Sequence, residues 1–176
     1  FKKVYVGGSL SGSNYAYIIE DNHRVKGFLF GKLGDEKLIK TPYSGVLGQI
    51  QFLFSLLFMT GVTFKRKLNY LRIIGEHDQN RRTIEPSRDD EVNLFAVDPD
   101  AQGKGYGKIL MNQFIETGRK LKRERITLET DKECNYKFYD YLGFKIKGEF
   151  YSPLQKEYSG KSGESYVYEL TIGEKV

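Results

Sequence analysis

At 176 residues the chain has the length of one domain, enough to bury a core, and its 13 Tyr and 12 Phe argue against disorder. Its single cysteine excludes an internal disulfide and fits a reducing, cytoplasmic setting. The net charge of +5 would suit a nucleic-acid binder, but the basic residues are spread among almost as many acids, so nucleic acid is not the expected partner.

The opening Phe1-Lys2-Lys3-Val4-Tyr5-Val6 lacks the apolar core of a signal peptide, and a start at Phe rather than Met reads as a trimmed product or fragment. Residues 15–20 and 25–30 are β-rich runs around Asp21-Asn22-His23-Arg24, which predicts a hairpin. Residues 31–44 read as loop. The run 47–59 is apolar nearly all round, so a helix there is buried or covers an apolar groove. The wider run 46–62 carries Gln49, Gln51 and Ser55 and falls short of the ~20 residues of a spanning helix, so no membrane span is expected. Residues 65–74 predict a second, amphipathic helix. Residues 75–90 are polar and charged, with Pro86 as a breaker, and predict a mobile loop.

A strand follows over 91–97. Alternation puts Glu91, Asn93, Phe95 and Val97 on one face, and Val92, Leu94 and Ala96 on the other. After the Asp98-Pro99-Asp100 turn comes Gln102-Gly103-Lys104-Gly105-Tyr106-Gly107, leading into a helix over 108–122 with a core stripe of Leu110, Phe114, Ile115 and Leu121. Residues 125–130 read as a strand and 132–142 as a short helix closed by Gly143. Residues 144–150 and 165–172 read as two last strands around a polar loop. Strands alternating with helices predict an α/β protein: a mixed sheet, parallel in its middle, flanked by helices. The chain reads as one domain over 1–176, with 46–74 as a helical insertion.

The glycine-rich junction carries the functional signal. A strand-to-helix turn aims several unpaired N–H groups at one point, and the helix dipole adds roughly half a positive charge. Glycine lets an anion approach the backbone without a Cβ in the way. A dinucleotide fingerprint would need glycine at 108 or 110, where Lys108 and Leu110 stand. A Walker A loop would need glycine at 102, where Gln102 stands, and Ser or Thr after Lys108. The spacing that fits is Q/R-x-x-G-x-G/A.

With that spacing, residues 91–144 resemble the acetyl-CoA-dependent N-acetyltransferases of the GNAT superfamily. The resemblance implies an acyl-CoA N-acyltransferase fold. It also implies a CoA pyrophosphate held by the backbone amides of Gln102, Gly103, Lys104, Gly105, Tyr106, Gly107 and Lys108. The pantetheine arm would run along Phe95, Ala96 and Val97, beside the strand 125–130, with an N–H near Val97 meeting the thioester oxygen. Glu91 lies 11 residues before Gln102, an offset at which several members carry a general base. A solvated strand-end carboxylate beside Asp89 and Asp90 is the alternative reading.

The segment Asn135-Tyr136-Lys137-Phe138-Tyr139-Asp140-Tyr141-Leu142-Gly143-Phe144 resembles the family's F/L-Y-x-x-x-G-F ending, whose tyrosine protonates the departing thiolate. A thiol near ~8.5 and a tyrosine near ~10 need only modest tuning for that transfer. A structural tyrosine is the alternative. On the expected helix, Cys134, Phe138 and Tyr141 form an apolar stripe, and Lys132, Asn135 and Tyr139 a face toward the cofactor. The family's asparagine seven residues before the tyrosine is Lys132 here, so Asn135 is placed on the cofactor side without inheriting that contact. Lys132 or Lys137 is the substitute phosphate contact.

Family members usually carry a strand and two helices before the first hairpin, whereas fourteen residues precede Tyr15 here. Either that part was removed or the acceptor site is open, and 46–74 supplies its wall or forms a core helix pair. The reading is therefore an N-acetyltransferase with acetyl-CoA as co-substrate and direct attack by an amine in a ternary complex. The alternative is a CoA-binding regulatory or interaction module without turnover. No metal is expected, because His23, His77 and Cys134 show no ligand spacing, and a Ser–His–Asp or Cys–His enzyme is not expected. The Asp89-Asp90-Glu91 stretch favours a cationic acceptor, and a homodimer is compatible with the pattern.

Overall fold

The computed structural model describes residues 2–35, 50, 54, 58, 60–160 and 162–173. In chain order the elements are α1 (Lys2–Ser11), β1 (Tyr15–Asp21), β2 (Arg24–Leu33), α2 (Phe64–Arg82), β3 (Asp90–Val97), α3 (Tyr106–Lys120), β4 (Arg125–Asp131), α4 (Lys137–Tyr141), β5 (Lys145–Tyr151), α5 (Pro153–Ser159) and β6 (Glu164–Thr171). This is a mixed α/β fold with a six-stranded mixed sheet and flanking helices. The packing divides into two compact units.

The first unit holds α1, the antiparallel run β1-β2-β3 and α3. Asn22 and His23 both sit at positive φ (52° and 57°), which makes the expected hairpin a two-residue turn between Asp21 and Arg24. β2 continues through residues 31–33, which pair with Val92, Glu91 and Asp90, so the loop expected from 31 starts later. At this point the register slips: Phe30 faces Leu94, Gly31 faces Val92, and Asn93 bulges between them. The bulge breaks the expected alternation of 91, 93, 95 and 97. It sends the Asn93 amide to the Gly12 carbonyl (3.1 Å) and the Ser13 hydroxyl (2.8 Å), anchoring the end of α1.

Sequence reading missed α1, whose Gly-Gly pair is a poor helix former. Its last turn closes through Ser11 and Ser13 hydroxyls donating to the Gly8 and Ser9 carbonyls (2.8 and 2.7 Å). α3 starts two residues earlier than expected. It buries Leu110, Met111, Phe114, Ile115 and Gly118, while Leu121 falls beyond the helix end and is half-buried. Phe114 packs so close to β2 that a Cβ on Gly31 would lie 2.5 Å from its ring.

The second unit holds α2, β4 from Thr127, and everything to the end of β6, with strand order β4-β6-β5 and β5 antiparallel to β6. α2 corrects the expected mobile loop: the helix runs 19 residues, through Arg82. Its buried face is Lys67, Tyr70, Ile73, His77 and Arg81, a helical spacing in which the later members are polar. Apolar periodicity therefore stops at Ile74 although the helix does not. The following residues are also held, because the fully buried Arg81 donates from Nη1 to the Glu85 (2.7 Å) and Ser87 (3.0 Å) carbonyls. The buried Glu85 in turn pairs with Lys147.

α4 is five residues long rather than eleven. Gly143, at φ 90°, closes it as expected, with the Phe144 N–H on the Tyr139 carbonyl and the Gly143 N–H on that of Asp140. The expected polar loop after β5 contains α5. Ser152 caps it by accepting the Gln155 N–H (3.1 Å), and Pro153 occupies the first helical position. The helix expected over 47–59 lies outside the described residues except for Ile50, Phe54 and Phe58, whose side chains are exposed.

Candidate active site

In the first unit, Asp98 opens the turn after β3. Its carboxylate accepts the Asp100 N–H (3.1 Å) and pairs with Lys26 (3.3 Å). These two partners, the Asp100 N–H foremost, hold the carboxyl below the usual carboxylate range. The chain then reaches Gly103 (φ 78°) and Gly105 (φ 81°, the N-cap of α3). A Cβ at either would meet nothing within 4 Å, so glycine is required there for its dihedral and not for lack of room. Gly105 offers no side-chain cap to the first turn of α3, the end of a helix that suits an anion. Gln102 to Gly105 and Lys108 are exposed, and Tyr106 is tied back by its hydroxyl to Asp21 (3.3 Å).

Phe95, Ala96 and Val97 are half-buried and face Leu29, Phe28 and Gly27 across β2. Glu91 is only 2% exposed, which removes the reading of a solvated strand-end carboxylate. Its acidic neighbours are engaged: Asp90 takes a two-pronged contact from Arg123 (2.7 and 2.9 Å), and Asp89 pairs with Lys32 (2.9 Å). The stretch 89–91 is thus no open anionic patch, which corrects the inference drawn from it about the acceptor's charge.

In the second unit, Tyr139 is ringed by Phe138 (centroids 5.4 Å), Tyr168 (5.9 Å) and Phe144 (6.2 Å). Burial pushes its phenol well above the ordinary tyrosine value, and Cys134 and Asp131 push the same way. The shift runs against the modest tuning expected for a proton donor. Because α4 begins at Lys137, the helical faces expected for Cys134, Phe138 and Tyr141 and for Lys132, Asn135 and Tyr139 do not form. Lys132, Cys134, Asn135 and Tyr141 are exposed. Lys132 pairs with Glu164 (3.3 Å), and the Cys134 thiol donates to Asp131 (3.0 Å).

The structure thus gathers Glu91, residues 95–97 and the 102–108 loop in one unit, and Tyr139 and Asn135 in the other. Sequence reading also missed a buried polar contact in the second unit. His77 lies 2.9 Å from Ser152 Oγ through Nδ1 and 3.2 Å from Glu129 Oε2 through Nε2. The Ser-Pro-Leu-Gln sequence at 152–155, a helix-start signature, was the available signal for the serine.

Residues 70–144 match the model of the Acetyltransferase (GNAT) family. Among solved structures, the ribosomal-protein-S18-alanine N-acetyltransferase from Escherichia coli shares the fold with a TM-score of 0.55 at 15% identity, over 97% of this chain and 77% of that one. Ard1 from Thermoplasma volcanium is 27% identical over 48% of this chain, with a TM-score of 0.42, and the match spans 55% of Ard1. N-acetylglutamate synthase from Neisseria gonorrhoeae, solved with coenzyme A and N-acetyl-glutamate, is 15% identical over 90% of this chain and 26% of its own, with a TM-score of 0.45. No curated protein matches the chain.

Over residues 70–144 the chain is thus similar to the GNAT acetyltransferases in sequence, and over most of its length it has the fold of the S18-alanine N-acetyltransferase. Among the described residues, no helix is long and apolar enough to cross a membrane, and no three His, Cys, Asp or Glu cluster to hold a metal ion.

Proposed function

We propose that this chain transfers an acetyl group from acetyl-CoA to an amine by direct attack in a ternary complex, in a cytoplasmic setting. The observation that carries the reading is the loop at the start of α3. Two glycines at positive φ stand with open space beside them, and the helix has no side-chain cap. The uncapped N–H groups and the helix dipole suit the pyrophosphate of CoA.

Glu91, near the start of the strand that leads into the loop, is the residue proposed to take the amine's proton. Residues 95–97 are proposed to line the pantetheine arm. Tyr139 stays protonated throughout the working pH range, because burial disfavours its phenolate. Its role is then a hydrogen bond into the sulfur as charge builds there, with full proton passage to a thiol of ordinary pKa ~8.5 lying uphill. Asn135 and Lys108 complete the proposed cofactor contacts from exposed positions.

Isothermal titration of the full chain with acetyl-CoA, followed by CoA-thiol release against a panel of amines, tests the reading. Binding followed by amine-dependent thiol release is expected. Binding without release from any amine would favour a CoA-binding module, and no binding to folded protein would reject the cofactor.

A further inference from the structure

The first half of α2 carries an apolar stripe on each of two faces, and the fold buries only one of them. The inner face, with Lys67, Tyr70 and Ile73, is packed against the protein. Phe64, Leu68 and Leu71, at i, i+4 and i+7, line up on the solvent side and are 65%, 51% and 39% exposed. Phe58, just upstream in the same compact unit, is 74% exposed. Single apolar side chains are ordinary at a surface, but three in one row on a helix mark a contact face.

Charge on this stretch is one-sided. From Phe64 to Ile73 the helix carries Lys65, Arg66, Lys67 and Arg72 and no acid; Glu76 and Asp78 come only after the stripe has ended. Lys65, Arg66 and Arg72 are exposed, and helical spacing puts Lys65 and Arg72 side by side along one flank of the stripe. Arg72 meets Glu76 (3.0 Å) in an exposed pair, a contact of small worth. The helix itself gains nothing from these cations. Lys65, Arg66 and Lys67 stand in its first turn, where the dipole is positive and acids are favoured. Arg119 and Lys120 at the end of α3 are the opposite case, because there the dipole is negative.

A nucleic acid would use the cations and leave the Phe and Leu side chains wet, while an apolar partner would strip the cations of water with no counter-charge. An anionic lipid surface satisfies both, with acyl chains for the stripe and headgroup phosphates for the cations. The inner face of α2 is buried in its own fold, so a groove that wraps a helix has no access, whereas a flat surface needs only the outer face. We propose that the first half of α2 is a membrane-surface helix, which lies in the interface of an anionic bilayer with Phe64, Leu68 and Leu71 inserted. It rests on the bilayer without crossing it: among the described residues no helix is long and apolar enough to span. Attachment of this kind is independent of the acetyltransferase chemistry proposed above.

Flotation of the full chain with vesicles of phosphatidylserine and phosphatidylcholine in equal parts tests the attachment. Co-flotation is expected, with little on phosphatidylcholine alone and a fall as salt rises. Lys65→Gln with Arg66→Gln should weaken partitioning about tenfold or more, at about fivefold per cation. Phe64→Gln with Leu68→Gln should abolish it while circular dichroism stays unchanged, since both positions are exposed. No flotation with the anionic vesicles overturns the proposal. Equal flotation of the Phe64→Gln, Leu68→Gln variant also overturns it, because charge attraction alone would then hold the chain. Lipid-free dimerisation in sedimentation velocity that is lost in Leu68→Gln would give the stripe to a second copy, and overturns it too.

Discussion

Tyr139 combines a hydroxyl with a dry aromatic surround, and the surround governs how it titrates. Burial raises its pKa above the ordinary ~10, so the folded state prefers the protonated phenol. The linkage sign follows: this preference stabilises the fold fully below pH ~10 and is lost as pH rises through the higher folded value. Ultraviolet difference titration of the unsubstituted protein against Tyr139→Phe should show no phenolate from this residue near ~10 and its appearance only above that. An ordinary titration would mean that the ring is hydrated. In the transfer reaction, Tyr139→Phe should lower kcat by about a hundredfold while acetyl-CoA affinity in calorimetry stays nearly constant. Unchanged turnover would make it a packing residue. The candidate tyrosine was visible from its spacing to Gly143 and Phe144, but its environment was not, since Tyr168 reaches it from β6.

Two sets of glycines separate element packing from ligand binding. Gly31→Ala would drive a Cβ to 2.5 Å from the Phe114 ring and 2.9 Å from the Glu91 carbonyl. Overpacking of this kind should cost about 1–3 kcal/mol in urea unfolding. Gly105→Ala meets no neighbour, so only the positive φ is strained, at about 1–2 kcal/mol, and the larger effect should be on acetyl-CoA affinity. If Gly105→Ala bound acetyl-CoA as tightly as the parent, the loop would not be the pyrophosphate cradle. The loop could be read from sequence because glycine spacing reports backbone dihedrals directly. α2 could not be read beyond Ile74, because His77 and Arg81 occupy its buried face and hide its periodicity.

Across the whole chain, the formal charge of +5 bears on how a polyanionic ligand arrives. Lys104 and Lys108 are exposed on the loop and helix start, and Arg119 and Lys120 lie at the far end of the same helix. Long-range attraction between exposed charges is screened beyond about 8 Å at physiological ionic strength. The association rate of acetyl-CoA in stopped flow should therefore fall as salt rises, with a smaller change in the dissociation rate. A salt-independent association rate would leave the surplus charge as a solubility feature alone. The basic helix end also satisfies the α3 dipole, so charge composition by itself could not have told the two uses apart.

Sequence by itself determined the strand-turn-helix around Gln102 to Gly107, the hairpin at Asn22 and His23, the cap at Gly143 and the likeness to the GNAT family over residues 70–144. Each depends on residues adjacent in the chain, where dihedral preference and hydrophobic period act directly. Tertiary structure alone decided that Glu91 is buried while Asp89 and Asp90 are paired, that α2 runs on to Arg82, and that α1 and α5 form at all. It also decided that His77 lies between Ser152 and Glu129, in contact with both. Those features depend on which distant groups satisfy a buried charge or an orphaned backbone group, and local spacing carries no record of that partner.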